Sequence, residues 1–154
     1  MNKYKSFADF ARQQITNFQN ATDANKVLRS AVVQTLPEMK RRIQNDGKNS
    51  SGQTMHTKSS KAYGAYSAAY GKRRERKGRQ TAIVDLTFNG DMMRSLKAGP
   101  TGPNSYGVGF LNDAQAEIAG YNEENFGEIF NVSAYELQVS LSAINKEAQR
   151  LLSK

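Results

Sequence analysis

The sequence contains no cysteine, which excludes a disulfide framework, a thiolate metal site and a cysteine nucleophile. That absence fits a reducing compartment. Histidine occurs once, as His56, and a zinc site needs several His or Cys ligands, so none is expected. Nowhere do eighteen apolar residues run together, and the opening "MNKYKSFADFARQQ" is polar and lacks the apolar centre of a signal peptide, so neither a membrane span nor an export leader is expected. Apolar residues make up only 38% of the chain, while aromatics at 9% suffice for a core, which predicts a globular chain rich in polar surface. A length of 154 residues suits one domain covering 1–154, able to bury roughly two-thirds of its unfolded surface.

Charge is unevenly spread. Residues 1–80 hold 17 Lys/Arg against 5 Asp/Glu, and residues 81–154 hold 5 against 9, so the halves stand near +12 and −4. The basic excess peaks at Lys72, Arg73, Arg74, Arg76, Lys77 and Arg79. From residue 112 to residue 136 there are six acids (Asp113, Glu117, Glu123, Glu124, Glu128 and Glu136) and no Lys or Arg. Such asymmetry suits nucleic-acid contact or complementary protein contacts.

Periodicity supplies the elements. Tyr4, Phe7, Phe10, Ala11, Ile15 and Phe18 share one helical face, which predicts a helix over 3–19. Thr22 or Asp23 can cap a second helix carrying Val27, Leu28, Ala31, Val32, Leu36, Met39 and Ile43. Pro37 predicts a kink or restart near Thr35, and Gly47 a left-handed stop. Residues 48–79, rich in Ser, Gly, Lys, Thr and Tyr, read as a long polar basic loop or mobile arm that becomes ordered on assembly. Tyr63, Tyr66 and Tyr70 have the spacing of a short helical face. "QTAIVDLTF" alternates as a strand, "NGDMMRSLKA" as a turn and helical piece, "GPTGPNS" as a loop, and "YGVGFL" as a strand returning on the first. Glu128–Asn131 suggests a further short strand. Ser133 and Glu136 stand at capping-box spacing before Leu137, Leu141, Ile144, Ala148 and Leu151, an amphipathic helix running to the end. The expected fold is α+β, with N- and C-terminal helices packed on a small antiparallel sheet.

Catalytic sets are thin. His56 lies in the polar stretch without a serine or carboxylate motif around it, and "GVGFLN" lacks the third glycine of a dinucleotide fingerprint. The pairs Glu123/Glu124 and Asp85/Asp91 read as solvated or partner-facing surface. No enzyme activity and no cofactor or metal is expected. The six basic residues of 72–79 repel one another unless something negative lies near. Three readings stand: a solvated loop; a nucleic-acid contact in which phosphates meet the cations and the tyrosines stack on bases; or a joint with the acidic stretch of a neighbouring copy.

The segments "RKGRQTAIVDLTFNGDMMRSL" and "YGVGFLNDAQAEIAGYNEENFGEIFNVSAYEL", with the leading helix, resemble the neck proteins of tailed bacteriophages, in the head–tail connector or tail-completion family. Asn89, Gly90, Arg94 and Ser95 occupy one family element, and Ile129, Phe130, Ser133 and Glu136 another. Glu128 stands where that family commonly carries a basic residue. The resemblance covers most of 76–154 and the helical style of 1–46. It implies a non-enzymatic, homo-oligomeric ring in the virion neck, made in the host cytoplasm, which contacts portal, adaptor and tail proteins and lets genomic DNA pass. A head-to-tail ring uses two different patches, and on this reading Lys72, Arg73, Arg74, Arg76, Lys77 and Arg79 face a neighbour's Asp113, Glu117, Glu123, Glu124 and Glu128, or face the DNA. The alternative is a free-standing nucleic-acid-binding protein.

Overall fold

The computed structural model describes residues 24–102 and 105–152. The helix expected over 3–19 lies outside them. Among the described residues there are five helices and two antiparallel two-stranded sheets, an α+β fold. In chain order they are α1 (Ala24–Gln44), β1 (Ala62–Tyr63), β2 (Tyr66–Ser67), α2 (Ala68–Arg76), α3 (Asp91–Ser95), β3 (Leu96–Gly102), β4 (Ser105–Phe110), α4 (Asp113–Phe126) and α5 (Ala134–Leu152).

The helix α1 runs through Pro37 without a restart. Proline withholds its amide from the carbonyl four residues back, that of Val33, and both residues are exposed, so the lost bond falls on the solvent side where water replaces it. Gly47 ends the turn after α1 in the left-handed region, at φ 60°. A Cβ there would lie 2.8 Å from that of Ile83, so closeness and conformation both require glycine.

The stretch expected as a polar loop over 48–79 carries structure. Met55 and Tyr66 are buried, β1 and β2 form a hairpin turned at Gly64 (φ 61°), and α2 follows directly. "AAYGKRRER" is made largely of good helix formers, with Arg73, Arg74 and Arg76 in the last turn, where the helix dipole favours cations. Gly78 (φ 64°) stops the helix. Its amide donates to the Glu75 carbonyl, and that of Arg79 to the Arg74 carbonyl, the paired bonds of a Schellman ending.

The expected strand at 80–88 is absent. Val84 and Asp85 are buried, but the backbone turns away at Leu86 (φ 54°), where the Asp85 carboxylate accepts the Thr87 amide. A side chain that bonds its own backbone two residues on competes with strand pairing. "YGVGFL" does form a strand, β4, but its partner is β3, drawn partly from residues read as loop, with Leu96 opposite Phe110 and Gly99 opposite Gly107. No strand forms at 128–131.

One face of α1 lies on the β3–β4 hairpin and another on α5. The central cluster joins Met39 and Ile43 of α1 to Met55, Tyr66, Val84, Met92, Met93, Leu96 and Ile129. Four of the five methionines are in it, a side chain flexible enough to fill the gaps between short elements. The helices α1 and α5 are antiparallel, since Arg42 meets Glu136 and Thr35 meets Ser140. The face of α5 buried on α1 holds Glu136 and Ala143. The expected stripe lies beside it, and Leu137 and Leu141 are 53% and 51% exposed.

Candidate functional site

The basic run divides in two once it is helical. Arg74, only 1% exposed, points into the protein, where its Nη2 donates to both Asp85 oxygens at 2.9 and 3.0 Å and its Nε to the Gln80 carbonyl at 2.9 Å. Its guanidinium also lies 4.5 Å from the centre of the Tyr66 ring, a cation–π arrangement. Asp85 accepts further bonds from the Tyr66 hydroxyl (3.2 Å) and the Gln80 amide (2.6 Å). Burial alone would raise the Asp85 carboxyl, but the Gln80 bond, the Thr87 bonds and the Arg74 charge together hold it below the usual carboxylate range. Burial pushes the Tyr66 phenol up.

Two expectations are thereby corrected. Arg74 faces neither a neighbour nor DNA, because Asp85 of its own chain neutralises it, and Asp85 is a buried partner rather than surface. Tyr66 is likewise closed to base stacking by its burial. Lys72, Arg73, Arg76, Lys77 and Arg79 are exposed. Arg73 lies over the Phe88 ring at 5.0 Å.

The acidic stretch divides in the same way. Residues 113–126 are the helix α4, started by Asn112, whose side chain accepts the Gln115 amide at 2.9 Å. Asp113, Glu117 and Glu124 are exposed on it. Glu123 is half-buried, and one oxygen accepts the amides of Ile129 and Phe130 at 2.8 and 2.9 Å. That carboxylate fixes the turn after α4 and leaves the interface set. Glu128 is exposed and accepts the Asn131 amide. Glu136, 0% exposed, caps α5 through the expected box: the Ser133 amide donates to it at 2.9 Å and its own amide to the Ser133 hydroxyl at 3.3 Å. It also pairs with buried Arg42 at 2.7 Å.

Between α2 and α4 opens a cleft of about 650 Å³. Ser67, Tyr70 and Arg74 line one wall, and Gln115, Ile118 and Asn122 the other. On α2, Lys72 and Arg76 each stand two residues from Arg74, about 200° around the axis. On α4, Asp113 and Glu117 stand two residues either side of Gln115, and Glu124 two beyond Asn122, the same half-turn away. On these two helices Lys72 and Arg76 on one, and Asp113, Glu117 and Glu124 on the other, thus stand away from the cleft, while Arg74 lines it and Arg73 lies over cleft-lining Phe88. Beside the acids Tyr121 is exposed, its hydroxyl donating to Glu117 at 3.0 Å, and Leu111 is exposed just ahead of the helix.

Among the described residues no group of three or more His, Asp or Glu could hold a metal ion, and no helix is long and apolar enough to cross a membrane. Compared with protein-family models, with curated proteins and with solved structures, the chain matches none.

Proposed function

We propose that this chain is a structural component of a phage virion, a ring-forming neck protein that joins the portal complex at the head to the tail and leaves a passage for DNA. The observation that carries the reading is the pair of ridges, basic on the outer face of α2 and acidic on the outer face of α4. Two unlike patches carried on different helices of one domain suit a head-to-tail contact, and such contacts close into rings when the rotation permits. Tyr121, whose hydroxyl meets Glu117, and Leu111 just ahead of α4 are exposed and supply an apolar centre to a polar rim. Exposed ion pairs add only about 0–1 kcal/mol each, so the ridges serve to steer and orient the subunits. The reading also rests on the resemblance of residues 76–154 to neck proteins. Burial of Tyr66 and the pairing of Arg74 within the chain remove part of the base-stacking and phosphate-binding set that the nucleic-acid reading needs.

Charge reversal tests it. One variant carries Arg73→Glu, Arg76→Glu and Lys77→Glu; a second carries Asp113→Lys, Glu117→Lys and Glu124→Lys. Each alone should fail to self-associate in light scattering and to enter particles, while an equimolar mixture, in which opposite charges meet again at every joint, should associate. If the first variant assembles normally and instead loses salt-dependent affinity for DNA, the ridge grips nucleic acid and the ring reading is wrong.

A further inference from the structure

The side chains on the wall of the cleft between α2 and α4 do not spend all their hydrogen-bonding groups within the chain. Arg74 is buried. Its Nε and Nη2 donate to the Gln80 carbonyl and the Asp85 carboxylate, and its Nη1 meets no acceptor among the described residues. A buried donor left without an acceptor is costly, and the cleft, which Arg74 lines, is the space from which one can arrive. On the same wall the hydroxyls of Ser67 and Tyr70 also make no hydrogen bond among the described residues. On the α4 wall, Asn122 and Asn125 each donate to the carbonyl four residues back, that of Ile118 at 2.7 Å and that of Tyr121 at 2.8 Å. Their amide nitrogens are thereby used, and both Oδ1 atoms are left without a donor among the described residues.

We infer that this cleft binds an extended peptide segment of another protein, held chiefly by its main chain. Three observations select that ligand. The first is hydrogen-bonding character. An extended chain exposes both N–H and C=O groups along its edges, so the Oδ1 atoms of Asn122 and Asn125 accept its amides while Arg74 Nη1 and the two hydroxyls donate to its carbonyls. The second is charge. Of the charged groups on the cleft wall, Arg74 is paired with Asp85 and Asp91 with Arg94, and Lys58, which donates to the Glu124 carbonyl at 3.1 Å, is the one remaining. A single cation is poor equipment for a phosphate backbone and suits a neutral main chain. The third is shape. Gln115, Ile118, Asn122 and Asn125 follow one another along one face of α4 at steps of three, four and three. That run covers about 15 Å of helix, the reach of about four or five extended residues at roughly 3.3 Å each. Side chains of an extended segment alternate between two faces, so every second one rests on Leu86, Met92 and Phe126, which also line the cleft. The cleft volume of about 650 Å³ lies within the range of ligand sites.

The probe is the neutral blocked peptide acetyl-Ser-Leu-Ser-Leu-Ser-amide, whose leucines fall on one face when it is extended, made with a photoreactive diazirine in each leucine. It is irradiated with the full-length chain, and the points of attachment are mapped by mass spectrometry. Attachment within residues 67–92 and 115–126 is expected, suppressed by excess of the same peptide without the diazirine. A fully N-methylated analogue keeps the side chains and carbonyls but has no N–H to give, so it should compete at least about tenfold more weakly. The double variant Asn122→Ala, Asn125→Ala removes both acceptors at helix positions that alanine favours and should cut the attachment yield about tenfold. Attachment elsewhere, or none, would overturn the inference. So would equal competition by the N-methylated analogue, an unchanged yield in the double variant, or stronger suppression by thymidine monophosphate than by the unmodified peptide, which would give the cleft to a nucleotide. The N-methylated arm uses the unaltered protein and so does not depend on how a variant folds. None of these readouts requires a ring, so failure here and failure of the ring reading are separate results.

Discussion

Replacing Arg74 by methionine tests the division of the basic run most directly. Methionine keeps most of the unbranched aliphatic length and deletes the charge. The Asp85 carboxylate, 8% exposed, then remains inside without its cation. Breaking a buried pair by removing one member costs about 3–5 kcal/mol. Asp85 keeps the Tyr66 hydroxyl, the Gln80 amide and the Thr87 amide, which places the expected cost near the lower end, about 3 kcal/mol. For a chain of this size each kcal/mol lowers the melting temperature by about 2–4 °C, so a fall of roughly 6–12 °C is expected in thermal unfolding followed by circular dichroism. Arg76→Met, two residues on in the same run but exposed, should move it by no more than about 2 °C. Adding Asp85→Asn to Arg74→Met should recover part of the loss, because the two side chains act as one unit. If Arg74→Met melts within about 2 °C of the unaltered protein, the pair contributes nothing and Arg74 belongs with its exposed neighbours.

The depressed Asp85 carboxyl also predicts a pH dependence. A group held lower in the folded state stabilises fully above its unfolded value of about 3.9 and loses that contribution as pH falls through its folded value; melting curves of Asp85→Asn should therefore decline less than those of the unaltered protein below about pH 4. At the start of α5, Ser133→Ala should cost about 1 kcal/mol as a lost cap, while Glu136→Ala should cost about 3–5 kcal/mol because it also strands buried Arg42. Equal losses in denaturant titrations of the two variants would contradict that distinction.

Local chemistry in the sequence located several elements, and long-range chemistry overruled others. The start of α5 was legible because a capping box is a contact over three residues, and the stop after α1 because Gly47 alone can take its conformation. The strand at 80–88 was misread for a physical reason. Alternating β-branched residues suit a pleated surface only where a neighbouring strand is present, and here the Asp85 side chain captures its own backbone and buried Arg74. The partner of β4 was hidden in "LKAGPTG", whose glycine and proline weigh against a strand but are tolerated in a two-stranded ribbon with open edges. Residues 48–79 looked like a loop because they are poor in aliphatics, yet Ala, Arg, Lys and Glu make a helix as readily as they make a solvated coil. The decisive sign was Gly78, placed where a Schellman ending needs it.

The candidate site shows the difference between counting charges and knowing where they point. A run of cations in sequence fixes a total; the helical period then assigns directions, and in α2 it sets Arg74 a half-turn from Lys72 and Arg76. Recognising the helix is therefore enough to predict that one of these residues faces inward. Nothing local says that Asp85 receives it, since the pair closes across eleven residues, and Arg42 finds Glu136 across ninety-four. Glu123 is subtler still, because its partners are backbone amides that leave no mark on residue type. Removing Arg74, Glu123 and Glu136 from the surface count takes one cation and two anions from the two blocks. Of the five cations and four anions left, the helical period places Lys72 and Arg76 on the side of α2 away from the cleft and Asp113, Glu117 and Glu124 on the side of α4 away from it. That geometry, with unlike ridges turned away from a shared cleft, suits contact between copies, since among the described residues neither ridge is joined to an opposite charge by an ion pair.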